Sequence, residues 1–422
     1  MSLKRIHKLI DELRYERFRW TPVRRVYIPK KGKKAFRPLG LPTWRDKLLQ
    51  EVIRLLLEAY YEPQFSEHSH GFRPQRGCHT ALLEIKRTHK GTKWFIEGDI
   101  AKCFDSLNHE VMLNILHESI EDARFIRLIG NLLKAGYMEN WKWQKTHSGT
   151  PQGGVLSPLL SNIYLDRLDK FVENDLIPTY HRGEKRQRNP EYRHWAYKKG
   201  LAKKRGDKRA YRLYDKRMRA LPALDPYDPH FRRLKYVRYA DDFLLSFAGP
   251  KVEAEEIKQQ LTTFLGKELR LELSQAKTLI THANTVPARF LGYEVQVQIC
   301  DTWRDSRGSR NANGEIALKV PPSVLQTLCA RYMRNGKPIH RSERINNSVY
   351  DVVFQYQTEY RGYVQYYTLA QNLYSLNKLR WVMATSLLKT LANKHRSTVQ
   401  KMAKRHAATV DTKYGLMKVI RV

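Results

Sequence analysis

Cysteine is scarce in this chain: Cys78, Cys103, Cys300 and Cys329 are the four among 422 residues. They form no CxxC pair, which argues against both a zinc site and a disulfide framework and fits a reducing compartment. Each reads as a small buried hydrophobe. Acidic residues are also few, 42 against 77 Lys and Arg. No apolar stretch approaches the roughly 20 residues of a membrane-spanning helix, and no signal peptide precedes the first basic residues. No internal repeat is visible. The expected location is cytoplasmic and bacterial-type, with an organelle as the alternative.

Positive charge is what the chain has in excess. Its formal net charge is +35, and such an excess repels itself unless a polyanion neutralises it. Nucleic acid is the natural polyanion, bound through phosphate contacts in a salt-dependent manner. An anionic membrane surface competes as a partner, but nothing in the sequence supports it. Hydrophobic residues make up 41%, enough for a globular chain with two or three cored domains. Residues 181–220 concentrate 16 Lys/Arg and four acids, interleaved with Tyr192, Trp195, Tyr197, Tyr211 and Tyr214. That composition suits contact with RNA, where cations track the backbone and aromatic rings stack on unpaired bases. It also fits a disordered tract or a solvated helical hairpin.

Periodicity predicts helices over 1–20, 46–61, 77–89 and 251–268, and mostly helices beyond Pro321-Pro322. Strands are predicted at 23–31, 234–240, 243–248, 270–273, 276–282 and 288–299. YVRYADDFLL (236–245) sets Asp241 and Asp242 inside an apolar, β-prone run, and WFIEGD (94–99) ends a similar run on Asp99. A tight turn alone accounts for adjacent Asp residues. A carboxylate taken from water, however, must be paired with a cation or a metal. Three of them together cannot all stay ionised without cations between them. Two divalent ions about 4 Å apart supply that charge and serve in-line phosphoryl transfer. Mg²⁺ suits such a set of hard oxygen ligands.

These stretches carry a resemblance. VRYADDFLL, FIEGDIAKCFDSLNH (95–109) and SGTPQGGVLSPLLSNIYLDRLD (148–169) resemble the core motifs of reverse transcriptases, specifically the group II intron-encoded reverse transcriptase/maturase branch. RPLGLPTWRDKLLQ (37–50) and HSHGFRPQRGCHTAL (68–82) resemble its upstream motifs. LELSQAKTLI (271–280) and RFLGYEV (289–295) resemble its later ones, and YRGYVQYYTLA with LRWVMATSLLKTLANKH resembles its thumb, or maturase domain. The likeness spans about residues 20–405. It implies an α+β right-hand polymerase with fingers, a ferredoxin-like palm and an α-helical thumb. The expected division is fingers at 1–93 and palm at 94–300, with interleaved fingers elements and a basic insertion at about 175–232. A linker at 301–322, a helical thumb at 323–410 and a tail at 411–422 complete it.

The resemblance also implies roles. Asp99, Asp241 and Asp242 would be the catalytic acids holding two Mg²⁺ ions, helped by the Ile100 carbonyl. Phe104 would be the gate excluding a ribose 2′-OH, and Gln152 would bind the incoming nucleotide. Arg24 and Lys30 would clamp its triphosphate; Phe290, Leu291 and Gly292 would form the primer grip. Read as residues alone, Phe104 fits a core phenylalanine, the TPQGG stretch a plain turn, Arg24 and Lys30 a solvated face, and 290–292 a strand with a close-packed glycine. The expected reaction is RNA-templated addition of dNTPs to a DNA or RNA primer 3′-OH. Binding of group II intron RNA and assistance to its splicing would be the second role. The alternatives are an RNA-binding maturase without polymerase activity and an RNA-templated RNA polymerase; Phe104 counts against the latter. With no Cys/His cluster beyond the thumb motifs, neither DNA cleavage nor efficient site-specific integration is expected.

Overall fold

The computed structural model describes residues 2–29, 36–146, 148–150, 153–226, 228–274, 277–300, 306, 312–413 and 415–420. Two compact units, Met1–Val286 and Pro287–Val422, divide the chain.

The N-terminal unit begins with helix α1 (Leu3–Arg14) and the antiparallel pair β1 (Val23–Pro29) and β2 (Phe36–Leu41). Helix α2 (Trp44–Tyr61) starts at Thr43, whose hydroxyl accepts a bond from the Asp46 amide, satisfying one orphan N–H of the first turn. Helix α3 (Cys78–Thr88) leads to the central strand β3 (Trp94–Asp99), then to α4 (Cys103–Ser106), α5 (His109–His117) and α6 (Ala123–Lys134). Strands β4 (Tyr137–Glu139) and β5 (Lys142–Gln144) extend the first sheet in the order β2-β1-β4-β5. Helix α7 (Ser157–Phe171) is buried along most of its length, so its apolar residues run without the one-sided pattern of a surface helix.

After α8 (Ile177–Tyr180) the basic segment forms two helices, α9 (Pro190–Lys204) and α10 (Lys208–Ala220). Strands β6 (Arg233–Tyr239) and β7 (Asp242–Ala248), helix α11 (Lys251–Lys267) and β8 (Ile280–His282) complete the unit, with the sheet order β6-β7-β3-β8. One face of this sheet packs on α7 and α11 in a core that includes Ile96, Leu160, Tyr164, Leu168, Leu245, Leu261 and Leu265. The long apolar helices thus press the sheet from one side and hold β3 against β7.

The C-terminal unit holds β9 (Ala288–Phe290), β10 (Tyr293–Val297) and β11 (Ile316–Lys319) in one antiparallel sheet. Helices α12 (Pro322–Ala330), α13 (Val349–Tyr366), α14 (Leu376–Lys394) and α15 (Val399–His406) follow. Tyr356 of α13 buries its hydroxyl against Ser386 of α14 at 2.8 Å, so this tyrosine belongs to the core.

The α+β class matches the expectation, and several local readings change. The single strand expected at 288–299 is a hairpin, because Leu291 (φ 47°) and Gly292 (φ 72°) both take left-handed conformations, as a two-residue hairpin turn requires. Residues 301–322, expected as a linker, contain β11, whose Ile316, Ala317 and Leu318 are buried. A short apolar run with both faces covered lacks the alternation that marks a strand in sequence. No strand forms at 270–273; Leu273 makes only an isolated bridge to Ile100. The segment 407–420, expected as thumb end and tail, pairs as the hairpin Ala407–Thr412 with Gly415–Ile420. No described helix is long and apolar enough to cross a membrane.

His89 closes α3 and is 1% exposed. Neither ring nitrogen has a hydrogen-bond partner among the described residues. Burial pushes its pKa from 6.5 down to about 3. The unfolded chain therefore takes up a proton that the folded chain refuses as pH falls through this window, and folding loses about 1.4 kcal/mol per pH unit there. His89→Leu is expected to flatten this acid limb of the stability curve, measured by urea unfolding at a series of pH values.

Candidate active site

The register of the central sheet builds the site. Antiparallel pairing of β3 with β7 sets Asp99 opposite Asp242 and Gly98 opposite Phe243. Directly opposed residues bring their Cβ atoms to about 5 Å on one face. On the other side of β7, Tyr239 pairs with Asp242, leaving Ala240 and Asp241 as the turn of the β6–β7 hairpin. Asp241 is therefore at the hairpin tip, and Asp242 is the first residue of β7. Gly98 is required by a close approach: a Cβ there would lie 2.1 Å from the Phe243 ring.

Burial pushes the Asp242 carboxyl up to about 7, with the charges of Asp241 and Asp99 and a hydrogen bond to Asp99 adding to it. Asp241 is raised as well, first by burial and then by Asp99, against the opposing charges of Lys277 and Arg37. Asp99 receives a cation directly: Lys277 Nζ donates to its two carboxylate oxygens at 2.8 and 2.7 Å. Among the described residues no three His, Cys, Asp or Glu side chains form a ready metal cage, and Lys277 engages both oxygens of Asp99. The donor set nevertheless fits a hard divalent cation, because two of the three crowded acids resist ionisation while, among the described residues, the positive charge bound to the group is one ammonium.

The other expected residues are placed differently from one another. Phe104 lies on α4, just past Lys102, which is left-handed at φ 49°. Its ring is half-buried and meets Phe72 edge-on at 6.2 Å, and it is not part of the main apolar core. Residues 149–150 are strapped beside it: Thr150 N donates to Phe104 O at 2.8 Å and Gly149 N to Leu107 O at 2.7 Å. Gly149 has φ +84°, and a Cβ there would sit 2.5 Å from Phe104 O. Gln152 and Lys30 lie outside the described residues. Arg24 is exposed on β1; the hairpin cation whose charge acts on Asp241 is Arg37 of β2. Ile100 buries its side chain beneath the acids.

Phe290, Leu291 and Gly292 belong to the C-terminal unit. There the carbonyls of Leu291 and Gly292 accept bonds from the hydroxyls of Tyr366 and Tyr367 at 2.8 and 3.2 Å. The left-handed turn is thus pinned to the end of α13. Three residues around the acids were not singled out from sequence: Lys277, Arg37 and Arg238. In a chain with 77 Lys and Arg, a single cation carries no signal. Arg238 had one, as a charge within the apolar strand YVRYA.

The basic segment is a folded helical hairpin, which removes the disordered reading. Asp215 joins its helices, bonding Lys199 at 2.6 Å and Arg219 at 2.8 Å. Trp195 stacks near Tyr214 and is flanked by Lys198 and Arg217 at 5.1 and 4.7 Å. Its ring serves the hairpin seam, whereas Tyr197 is 67% exposed.

Residues 28–196 match the family described as reverse transcriptase (RNA-dependent DNA polymerase), and residues 324–417 match type II intron maturase. The chain is 43% identical to the group II intron-encoded protein LtrA of Lactococcus lactis subsp. cremoris over 95% of its own length and 69% of the relative's. It is 34% identical to the putative COX1/OXI3 intron 1 protein of Saccharomyces cerevisiae, covering 96% of this chain and 50% of that one. Protein YkfC of Escherichia coli is 35% identical over 65% of this chain and 67% of its own. With residues 28–196 matched by the first family, most of the helical C-terminal unit matched by the second, and 43% identity to a group II intron-encoded protein over 95% of its length, the chain belongs to the group II intron-encoded reverse transcriptase/maturase family.

Proposed function

We propose that this RNA-directed DNA polymerase uses Asp99, Asp241 and Asp242, with the Ile100 carbonyl, to hold two Mg²⁺ ions while dNTPs are added to a primer 3′-OH. The observation that carries this reading is the opposition of Asp99 and Asp242 across β3 and β7, with Asp241 in the adjoining turn. When bound, such a pair of ions activates the attacking hydroxyl and stabilises charge on the departing pyrophosphate. The protein's part is to present the three half-buried carboxylates from the end of a sheet and its adjoining turn, so that cations are the favoured way to satisfy them.

Phe104 acts as the sugar gate in this reading. Its half-exposed ring beside Phe72, outside the main core, supports that role. Gln152, with the glycines after it, lets the nucleotide approach the backbone, and Arg24 and Lys30 receive its triphosphate. The turn at Phe290–Gly292 grips the primer. The positive α9–α10 hairpin, with Tyr197 exposed, contacts template or group II intron RNA, and through intron binding the chain assists splicing.

Asp241→Ala is expected to lower primer extension on an RNA template by more than about 100-fold, beyond the loss seen when a metal ligand's outer partner is removed. RNA affinity should be unchanged; undiminished extension refutes the metal assignment. Phe104→Ala should raise the use of rNTPs relative to dNTPs by about 10-fold or more, the scale of steric discrimination in a pocket. Competition between the two nucleotides on one template measures it. Replacing residues 190–220 by a short Gly/Ser link should weaken RNA binding and flatten its dependence on log salt concentration. Filter binding across a salt series reads both.

A further inference from the structure

Among the described residues Arg238 is the largest fully buried side chain. It stands on β6, three residues before Asp241, in a strand where an apolar residue is the ordinary choice. Its guanidinium makes a two-pronged pair with Asp169 of α7: Nε donates to Oδ1 at 2.7 Å and Nη2 to Oδ2 at 2.6 Å. Both side chains are 0% exposed. Tyr236 adds a hydroxyl bond to Asp169 Oδ1 at 2.7 Å. The remaining prong leaves the pair altogether. Nη1 donates to the Ala240 carbonyl at 2.9 Å and to Asn162 Oδ1 at 3.2 Å.

The Ala240 carbonyl belongs to the peptide unit that joins Ala240 to Asp241, so Arg238 grips the turn at the bond leading into the acids. Ala240 has φ +56°, a conformation that a residue with a Cβ adopts only when its surroundings impose it. The opposite side of the turn is closed by backbone. A Cβ on Gly71 would lie 2.3 Å from the Ala240 nitrogen, and Asn162 Nδ2 holds the Gly71 carbonyl at 2.8 Å. Arg238 itself exchanges backbone bonds with the same segment, donating to His68 O at 2.8 Å and accepting from His70 N at 2.9 Å. Asn162 and Asp169 are seven residues apart, two turns along one face of α7, so a single helix supplies both side-chain partners of the guanidinium.

A buried ion pair is weak evidence of stabilisation, since well-packed apolar residues of similar volume serve a core as well or better. An apolar replacement cannot, however, bind the Ala240 carbonyl. Lysine cannot replace the fork either, because one ammonium lacks the spread donors needed to span Asp169 and that carbonyl together. We propose that Arg238, braced by Asp169 and Asn162, is a positioning residue of the polymerase: it fixes the peptide entering Asp241 and so aims Asp241 and Asp242 toward Asp99. The inference rests on the reading of those acids as the metal site.

The test uses the full chain with Arg238→Met/Asp169→Leu, Arg238→Lys and Asp241→Ala. Thermal unfolding and RNA affinity report folding. Mn²⁺ binding by electron paramagnetic resonance reports the site without nucleotide, and steady-state extension gives kcat and KM for dNTP. The apolar double variant should fold and bind RNA as the parent does, yet bind Mn²⁺ about 10- to 100-fold more weakly, the range for loss of a partner behind a metal ligand. Its kcat should fall by a similar factor with KM for dNTP little changed. Arg238→Lys should show the same pattern, and it remains decisive if the double variant does not fold. Parental Mn²⁺ affinity and kcat in either folded variant would overturn the positioning role. Parental Mn²⁺ binding by Asp241→Ala would instead overturn the reading of the acids, so the two failures are told apart.

Discussion

Mutual repulsion among three carboxylates at the end of a buried sheet is the constraint from which the rest of this structure follows. The β3–β7 register sets Asp99 opposite Asp242 and brings the Asp241 turn alongside. An apolar core behind the sheet withholds the water that would otherwise screen them. The result is a carboxyl at Asp242 held near pH 7 and a second raised at Asp241. Such a site is tolerable in a folded protein only if cations are close at hand.

The molecule provides them at two ranges. Lys277 binds Asp99 directly, and Arg37 acts on Asp241 through its field. Beyond the site the chain carries an excess of positive charge, net +35, a concentrated part of which lies on the α9–α10 hairpin. The same excess that draws in a polyanionic template leaves the acids as a local exception within a basic surface. A divalent cation and a nucleic acid therefore neutralise different parts of one charge distribution.

Much of the site was legible in sequence because its motifs are local. WFIEGD and YVRYADDFLL each put an acid where a strand run should stay apolar, and that conflict marks a site from residues alone. The turn at Leu291–Gly292 was only half legible. Its glycine was visible, but the 288–299 run alternates well enough to pass for one strand. β11 escaped because Ile316, Ala317 and Leu318 are buried without alternation. The ring of Trp195 was expected on a base-stacking surface and proved to be held between Lys198 and Arg217, since nothing in a helical spacing says which face its partner helix covers.

Composition by itself pointed to a polyanionic partner, and two strand runs ending in acids singled out three candidate residues, because net charge and burial cost are properties of residues and their near neighbours. The α+β class followed from the resemblance that the ordered motifs carry. Only the tertiary structure decided that Asp99 faces Asp242, that Lys277 is the cation on Asp99, and that Arg238 holds the Ala240 carbonyl. Those relations join residues from separate elements. Their distances depend on the pairing of strands remote in sequence and on α7 packing behind them, which no local pattern encodes.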